Sequence, residues 1–320
     1  MVSRSEIVDA YRFILGREPE NEAVIEDLYQ IPDWQGLRQA FLSSLEYQAN
    51  TQQAGLAQLL NDYILAAPNR VDTDISEEQF GRLLAHVQRS WERLGEEKPY
   101  WSVLVDASYL PENIDRNIDS FYRTGPLSWM LFECAAARAG RMPAADGVAL
   151  ELGCGVGRVT PHLAQYFREV IACDISLPHL DIARTHLTHL GVNNVRLVRV
   201  DSIERLQEQG PLDFFYSVIV LQHNPPPIIA RLLEVAFANL KPGGIAYFQL
   251  PVAAKSYEFV IETYLDRVVG KTETMEMHVL PQKYLFQLMQ RAGMRLLDIQ
   301  RENWTGPLYH SLSILCEKAV

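Results

Sequence analysis

At 320 residues the chain is long enough for about two domains of ordinary size, and its 48% hydrophobic content supports a proper core. The net charge of −11 provides no broad positive surface, so the composition argues against tRNA or DNA as a substrate. Small molecules or neutral glycans fit this charge better.

The cysteines indicate neither a disulfide framework nor a zinc site. Four are present without a CxxC pair, and three of them fall in apolar helix or strand runs, where a thiol behaves as a small hydrophobic side chain. The N-terminal stretch is charged throughout, and no segment approaches the roughly 18 uncharged apolar residues of a membrane span. We therefore expect a cytoplasmic protein without a transmembrane helix.

Residues 1–68 are predicted to form an all-α module. Ser3 and Glu6 have the spacing of a capping box, and Asp33 is a candidate cap for a later helix. Apolar residues recur at helical spacing along these segments. They are Ile7, Val8, Tyr11, Ile14, Leu15, Leu37, Phe41, Leu45 and the positions of a further helix over 56–64.

The run YRFILGREPENEAV…FLSSLEYQ resembles a short helical module of uncharacterised function that recurs in bacterial proteins, often beside glycan-modifying enzymes. An ordinary docking or dimerisation bundle without a ligand is the simpler alternative. In either case the module is a candidate surface for a homo-oligomer or for docking of a partner.

Residues 69–126 are predicted to be a helical and irregular connector. Ser76 and Gln79 form a capping box that starts a helix with a broad apolar stripe. The aromatic segments 99–104 and 121–126 follow, and neither has the periodicity of a regular element. They either cover an active site or simply pack a helical subdomain against a sheet.

The stretch Val148–Arg158, with the sequence VALELGCGVGR, is typical of a buried strand that leads into a glycine loop and then a helix. Glycines at GxGxG spacing let a ligand lie against bare backbone, and the following helix points its N-terminus at that ligand. Strand and helix patterns alternate from residue 147 onward. This alternation predicts an open α/β sheet.

The glycine spacing separates two classes of ligand. A dinucleotide fingerprint is GxGxxG, whereas here the third glycine comes one residue early and an acid precedes the loop, which argues against a nicotinamide oxidoreductase. ExGxGxG resembles motif I of the class I S-adenosylmethionine-dependent methyltransferases. The resemblance implies cofactor contacts at Glu151, Gly153, Gly155 and Gly157. A glycine turn that merely packs a helix is the structural alternative.

Acids follow the next two predicted strands. Asp174 ends the second strand, where a carboxylate can accept hydrogen bonds from both ribose hydroxyls, and Ile175 lies beside it. In the family an acid after the third strand accepts from the adenine amino group, which assigns Asp201 and Ser202 to that role. Helix capping is the alternative for Asp174, Asp201 and Ser202.

The fourth strand is predicted over 214–221 and ends in Gln222 and His223, which are expected to face the transferring methyl group. Leu221 and Gln222 are also predicted to contact the cofactor. The LKPGG stretch at 240–244 resembles a turn of the same family, before a fifth strand over 245–250.

Residues 251–280 are predicted to be an insertion, either a substrate lid or a packing extension. It carries His278, our second candidate for a general base after His223, while His310 is the third. A structural role or a hydrogen bond to the substrate is the alternative for each of these histidines.

The sequence therefore predicts an α/β fold: a seven-stranded, mostly parallel, Rossmann-like methyltransferase sheet with helices on both faces over 127–320, plus the N-terminal all-α domain. The expected cofactor is S-adenosylmethionine, and no residue pattern suggests a metal. The expected reaction is O-methylation of a sugar or glycan precursor. A lipid or secondary-metabolite acceptor and a catalytically inactive cofactor-binding scaffold remain open.

Overall fold

A computed structural model of the protein describes residues 1–15, 17–49, 70–268, 275–306 and 308–320. The chain divides into two compact units, Met1–Ala67 and Pro68–Val320. The predicted connector over 69–126 therefore belongs to the second unit. None of the helices in the described ranges combines the length and the apolar composition that a bilayer crossing requires.

The first unit is built from short helices: α1 (Arg4–Ala10), a π-helical turn (Tyr11–Leu15), α2 (Glu22–Leu28) and α3 (Trp34–Leu42). Both capping interactions expected here form, at Ser3 with Glu6 and at Asp33 with the Gly36 backbone N–H. The Tyr11 and Phe41 rings meet edge to face at 4.8 Å in the core. Leu45, by contrast, is 84% exposed, because α3 ends before it. The predicted helix over 56–64 lies outside the described residues.

The second unit follows the predicted alternation. Its elements in chain order are α4 (Glu77–Glu97), α5 (Ile114–Tyr122), α6 (Gly125–Ala139), β1 (Val148–Leu152), α7 (Thr160–Tyr166), β2 (Glu169–Asp174), α8 (Leu177–His189), β3 (Val195–Arg199), α9 (Ile203–Gln207), β4 (Leu212–Ser217), α10 (Pro226–Asn239), β5 (Leu240–Ala254), α11 (Ile261–Val268), α12 (Gln282–Arg291), β6 (Met294–Glu302) and β7 (Tyr309–Lys318). Short 3₁₀ turns occur at Ala107–Tyr109 and Leu221–His223.

The strands form one seven-stranded mixed sheet in the order β3-β2-β1-β4-β5-β7-β6. All pairs from β3 to β5 are parallel, and β7 runs antiparallel to both β5 and β6. The strand order reverses between β1 and β4, so a crevice opens at their carboxyl ends. That crevice is where an open α/β sheet binds its ligand.

The two faces of the sheet carry separate apolar layers, because successive side chains of a strand point to opposite sides. Leu150 and Leu152 of β1 pack on the side of α4, α10 and α12. Ala149 packs on the other side with Trp129 and Phe132 of α6. The alternation places Glu151 on the α6 side of the sheet.

Three local predictions need correction. β4 ends at Ser217 rather than at residue 221, because Ile219 has a positive φ of 59° and its N–H donates to the side chain of Gln249 instead of a ladder partner. β5 begins at Leu240 rather than after the LKPGG turn. The aromatic segment over 121–126 is largely helical, since it spans the end of α5 and the start of α6.

Candidate active site

A cleft lies at the carboxyl ends of the strands, with an empty volume of about 1080 Å³ that includes space open to solvent. Its floor is formed by the glycine loop and the ends of β2 and β4. Its roof comes from α4 and the following segment. The roof side chains are Leu84, Val87, Trp91, Ser102 and Val103. The connector therefore contributes side chains to the site.

The glycine loop has a backbone that only glycine adopts without strain. Gly153, Gly155 and Gly157 have φ angles of 76°, 53° and 78°. A Cβ on Gly153 would lie 2.3 Å from Val220 Cγ2, and a Cβ on Gly155 would lie 2.9 Å from Val103 Cγ2. Both glycines line the cleft.

The third glycine has a different role. A Cβ on Gly157 would lie 3.3 Å from the Cβ of Ala183 on α8, so this position serves close packing between the loop and a helix. Gly157 is not among the residues that line the cleft, and its predicted cofactor contact stays a prediction.

Asp174 orders the glycine loop. Its Oδ2 accepts from the backbone N–H of Gly155 at 2.8 Å, and its Oδ1 accepts from the backbone N–H of Ser176 at 2.9 Å. Each carboxylate oxygen keeps a further lone pair for a ligand hydroxyl. Asp174 is 8% exposed and lines the cleft together with Ile175, as the sequence assignment requires.

Glu151 lies buried below the loop. Its Oε2 accepts from Thr160 Oγ1 at 2.6 Å, and burial raises its pKa to about 7 despite that hydrogen bond. Arg158 is buried nearby, donates from Nη1 to Thr124 and Ser128, and has its pKa lowered by burial. Both side chains line the cleft, so a proton and a cation are both available beside the loop.

The buried side chain of His179 links the roof of the cleft to the end of β2. His179 of α8 is hydrogen-bonded through Nδ1 to Ser176 and through Nε2 to Ser102, each at 2.8 Å. Burial lowers the pKa of His179, so its ring is neutral. The contact connects the segment that carries Val103 to the turn that Asp174 organises.

The two residues assigned to adenine separate in space. Ser202 lines the cleft and also caps α9 by accepting from the Arg205 N–H. Asp201 instead lines a separate surface groove, 3.9 Å from Arg199 Nε, with 41% of its side chain exposed. β3 ends at Arg199, and the predicted contact of Asp201 with adenine stays a prediction.

The residues after β4 also separate. Leu221 is buried in the apolar layer, and Gln222 is buried with its Nε2 donating to His223 Nε2 at 3.2 Å. Asn224, which the sequence did not single out, lines the cleft in their place. The early end of β4 and the 3₁₀ turn account for this change.

His223 lies in a second, small cavity, where an empty volume of about 230 Å³ includes space open to solvent. Its Nδ1 donates to the Glu276 carbonyl oxygen at 2.8 Å, and its Nε2 is occupied by the amide of Gln222. Burial lowers the pKa of His223 to about 4. A neutral ring with both nitrogens engaged is a positioning group, which favours the structural alternative over a general base.

The second cavity is assembled from α4, the turn after β4 and the predicted insertion. Its walls are His86, Val87, Ser90, Trp91, His223, Pro225, Tyr264, Glu276 and His278. His278 belongs to it as a candidate base, whereas His310 lies on β7, paired in register with Ala253.

Glu276 is the centre of this cavity. Its Oε2 accepts from Tyr264 Oη at 2.6 Å and from His278 Nε2 at 3.0 Å, while its Oε1 lies 3.9 Å from His86 Nε2. Burial alone would raise the pKa of Glu276, but the hydrogen bonds from His278 and Tyr264 hold it below its usual value. The carboxylate is therefore ionised at neutral pH.

The sequence analysis did not single out His86, Trp91 or Glu276 as cavity-lining residues, although Trp91 lines the cleft and all three line the second cavity. His86 and Trp91 are embedded in the apolar stripe of α4, which by itself indicates only core packing. A polar histidine inside that stripe was the available signal. Within the described ranges, no group of three or more His, Cys, Asp or Glu side chains is arranged to hold a metal ion.

Comparisons with known proteins agree with this architecture. The family described as "Methyltransferase domain" matches residues 149–244, from β1 to the start of β5. A protein-L-isoaspartate O-methyltransferase of Nitrosospira multiformis is 32% identical over 170 residues, covering 52% of this chain and 76% of that protein. A ubiquinone biosynthesis O-methyltransferase of Acinetobacter baylyi is 28% identical over 169 residues, covering 51% of this chain and 68% of that protein.

Among solved structures, the magnesium protoporphyrin IX methyltransferase from Synechocystis PCC 6803 with bound SAH has a similar fold. The TM-score is 0.50 at 14% identity, covering 74% of this chain and 99% of that one. The sheet and its glycine loop thus define a Rossmann-like methyltransferase fold. The chain belongs to the class I S-adenosylmethionine-dependent methyltransferases, and S-adenosylmethionine is its cofactor.

Proposed function

We propose that the protein transfers a methyl group from S-adenosylmethionine to a hydroxyl oxygen of a small organic acceptor, with a sugar of a glycan precursor as the leading candidate. The observation that carries the proposal is the glycine cradle beside Asp174 at the point where the strand order reverses. Gly153 and Gly155 line the cleft without side chains, and the Asp174 carboxylate lines it beside them, which fits a ligand that lies against backbone and offers hydroxyl groups. The residues present therefore fit the cofactor.

In this proposal Asp174 holds the ribose hydroxyls, and Ile175 and Ser202 line the adenosine end of the cleft. The backbone of Gly153 and Gly155 and the carboxyl group of Glu151 face the amino-acid end. Asp174 is suited to its role because both of its oxygens are already fixed by the N–H groups of Gly155 and Ser176. Preorganised acceptors lose little freedom when the cofactor binds.

The cofactor supplies a methyl group activated on a sulfonium. The chain's task is to hold an acceptor oxygen close to that carbon and in line with the breaking bond, since positioning supplies much of the rate. The roof over this region is apolar at Leu84, Val87 and Trp91. A hydroxyl acceptor also needs a group to receive its proton as the oxygen becomes acidic.

The glycan part of the proposal comes from the first unit, whose sequence resembles a module found beside glycan-modifying enzymes. Oligomerisation or partner docking through this unit and a cytoplasmic location are parts of the same proposal. A lipid or secondary-metabolite hydroxyl would use the same cleft. Because one relative is a protein-L-isoaspartate O-methyltransferase, a carboxylate acceptor is the second candidate.

Calorimetry with S-adenosylmethionine and with NAD tests the cofactor assignment. We expect the former to bind and the latter not to bind. Transfer from methyl-labelled S-adenosylmethionine to a set of neutral sugars and sugar nucleotides then tests the acceptor. Labelling of carboxylates alone would replace the hydroxyl by the second candidate. Tight cofactor binding without transfer to any acceptor would favour the inactive scaffold.

A further inference from the structure

Arg158 is the one Lys or Arg side chain among the described residues that line the cofactor cleft. It directly follows the glycine loop, and only 7% of the residue is exposed. The acidic side chains that line the same cleft are Glu151 and Asp174. An anionic group bound in this cleft would therefore find its positive partner at Arg158.

The guanidinium of Arg158 is held in place by α6. A Cβ on Gly125, the first residue of that helix, would lie 2.2 Å from the carbonyl oxygen of Arg158, so the helix and the end of the glycine loop are in close contact. Arg158 Nη1 donates to Thr124 Oγ1 at 3.2 Å and to Ser128 Oγ at 2.9 Å. Two hydroxyl groups thus fix the side chain, and neither carries a charge that could neutralise it.

The other nitrogens of this guanidinium have no partner in the described part of the chain. Nε is enclosed without a hydrogen bond, and no carboxylate forms an ion pair with Arg158 there. Because the hydroxyls use Nη1 and Nε is enclosed, Nη2 is the nitrogen left to meet a ligand. A buried cation without a counterion costs free energy, and an anionic group of a ligand would remove that cost.

Glu151 and Arg158 together match the two charges of an α-amino acid. Burial lowers the pKa of Arg158, and the nearby Glu151 carboxyl acts in the opposite direction without forming an ion pair. Glu151 Oε2 is engaged by Thr160 instead. The acid and the cation are therefore separate in the cleft, as a ligand that carries both an ammonium and a carboxylate requires.

We propose that Arg158 binds the carboxylate at the amino-acid end of S-adenosylmethionine, and that this contact makes the cleft select cofactors with an intact carboxylate. The inference rests on the proposed function, which places the amino-acid end beside Gly153, Gly155 and Glu151, and it adds the partner for the negative charge of that end. Thr124 and Ser128 are positioning residues, because they act on the cofactor only through Arg158.

The test measures the Kd of the full-length protein for three ligands by calorimetry. They are S-adenosylhomocysteine, its decarboxylated analogue, which keeps the ammonium, and its deaminated analogue, which keeps the carboxylate. The variant is Arg158→Gln, which removes the charge and keeps a side-chain amide that can donate hydrogen bonds. The control is Arg184→Gln, an exposed arginine of α8 whose partner is Asp181. Melting temperatures report folding of both variants.

We expect wild-type protein to bind S-adenosylhomocysteine about 10- to 100-fold more tightly than the decarboxylated analogue. Arg158→Gln should weaken S-adenosylhomocysteine and the deaminated analogue by a similar factor, and should leave the decarboxylated analogue within about threefold of its wild-type Kd. Arg184→Gln should stay within about twofold of wild type for all three ligands.

Three outcomes would overturn the inference. The first is equal wild-type affinity for S-adenosylhomocysteine and its decarboxylated analogue. The second is an Arg158→Gln protein that keeps the wild-type preference, which is the result expected if the guanidinium binds a carboxylate of the acceptor instead. The third is equal weakening of all three ligands, which would give Arg158 a structural role alone.

If Arg158→Gln fails to fold, Ser128→Ala takes its place, because it removes one of the hydroxyls that hold Nη1. The preference for S-adenosylhomocysteine over the decarboxylated analogue should then fall about threefold, and an unchanged preference would overturn the inference. Failure of the proposed function is distinguishable, because it shows as wild-type protein that binds none of the three ligands.

Discussion

The cofactor cleft and the second cavity are built in different ways. The cleft is lined in part by backbone, since Gly153 and Gly155 line it without side chains, and Asp174 accepts a hydrogen bond from the Gly155 N–H. The second cavity takes its character from side chains that come from α4, α11 and the segment around Glu276, which are distant in sequence. We therefore expect the glycine loop to be damaged by any added side chain. The second cavity should instead respond to a substitution that changes charge and keeps the size of the side chain.

This difference predicts which kind of substitution damages each region. Steric changes in the glycine loop should have the largest effects on cofactor binding. Substitutions that change charge and keep size should act mainly in the second cavity. The following variants test this difference.

The largest effect is expected for Gly155→Val. Its Cβ would lie 2.9 Å from Val103 Cγ2 at a φ of 53°, which a β-branched residue rarely adopts. We expect loss of measurable S-adenosylmethionine binding by calorimetry. Gly81→Ala is the control, because nothing lies within 4 Å of its Cβ, and it should stabilise α4 by about 0.5–1 kcal/mol. A folded Gly155→Val protein with wild-type affinity would refute the backbone site.

A smaller loss is expected for Asp174→Ala. The change removes the ribose acceptor and leaves the buried N–H groups of Gly155 and Ser176 without their partner, at about 1–3 kcal/mol each. The Kd for S-adenosylmethionine should rise by about 10²-fold. Asp181→Ala on the exposed side of α8 is the matched control. Equal affinities of the two variants would remove Asp174 from the cofactor site.

The second cavity predicts a pH effect on stability through His223. The pKa of His223 in the folded protein is about 4, below the ordinary value of 6.5. Between these two pH values His223 is protonated in the unfolded chain but neutral in the folded protein. Wild-type stability should therefore fall as the pH drops below about 6.5. Between pH 7 and pH 5, the free energy of unfolding of the wild-type protein should fall by about 2 kcal/mol more than that of His223→Gln.

Urea unfolding of both proteins at the two pH values measures this difference. The other buried histidines are present in both proteins and cancel in the comparison. Identical pH dependence would mean that His223 is protonated as easily in the folded protein as in the unfolded chain. The description of His223 as a neutral positioning group would then be wrong.

The smallest effect is expected for Asp201→Ala. Its side chain lines the surface groove beside Arg199, so S-adenosylmethionine affinity should stay within about twofold of wild type. Ser202→Ala removes the cap of α9 and should cost about 1 kcal/mol of stability. A tenfold or greater loss of affinity in Asp201→Ala would restore the assignment made from sequence.

The main residues of the cofactor cleft could be predicted from the local sequence. The ELGCGVG run places strand, loop and helix within a few consecutive residues, and Asp174 follows its strand directly, so short-range geometry constrains their contacts. The order of strands and helices was predictable for the same reason. Gly157 shows the limit of the motif, because two of the three glycines line the cleft and the third lies close to Ala183 instead.

By itself, the sequence determined the α/β class, the glycine cradle and the acid at the end of β2, because these depend on hydrophobic periodicity and on glycine's freedom at positive φ. The tertiary structure was needed to show that β4 stops at Ser217, that Asp201 lines a groove separate from the cleft, and that Glu276 lies 3.9 Å from His86. Such contacts join segments far apart in the chain. They result from the packing of whole elements, which no local pattern of residue types encodes.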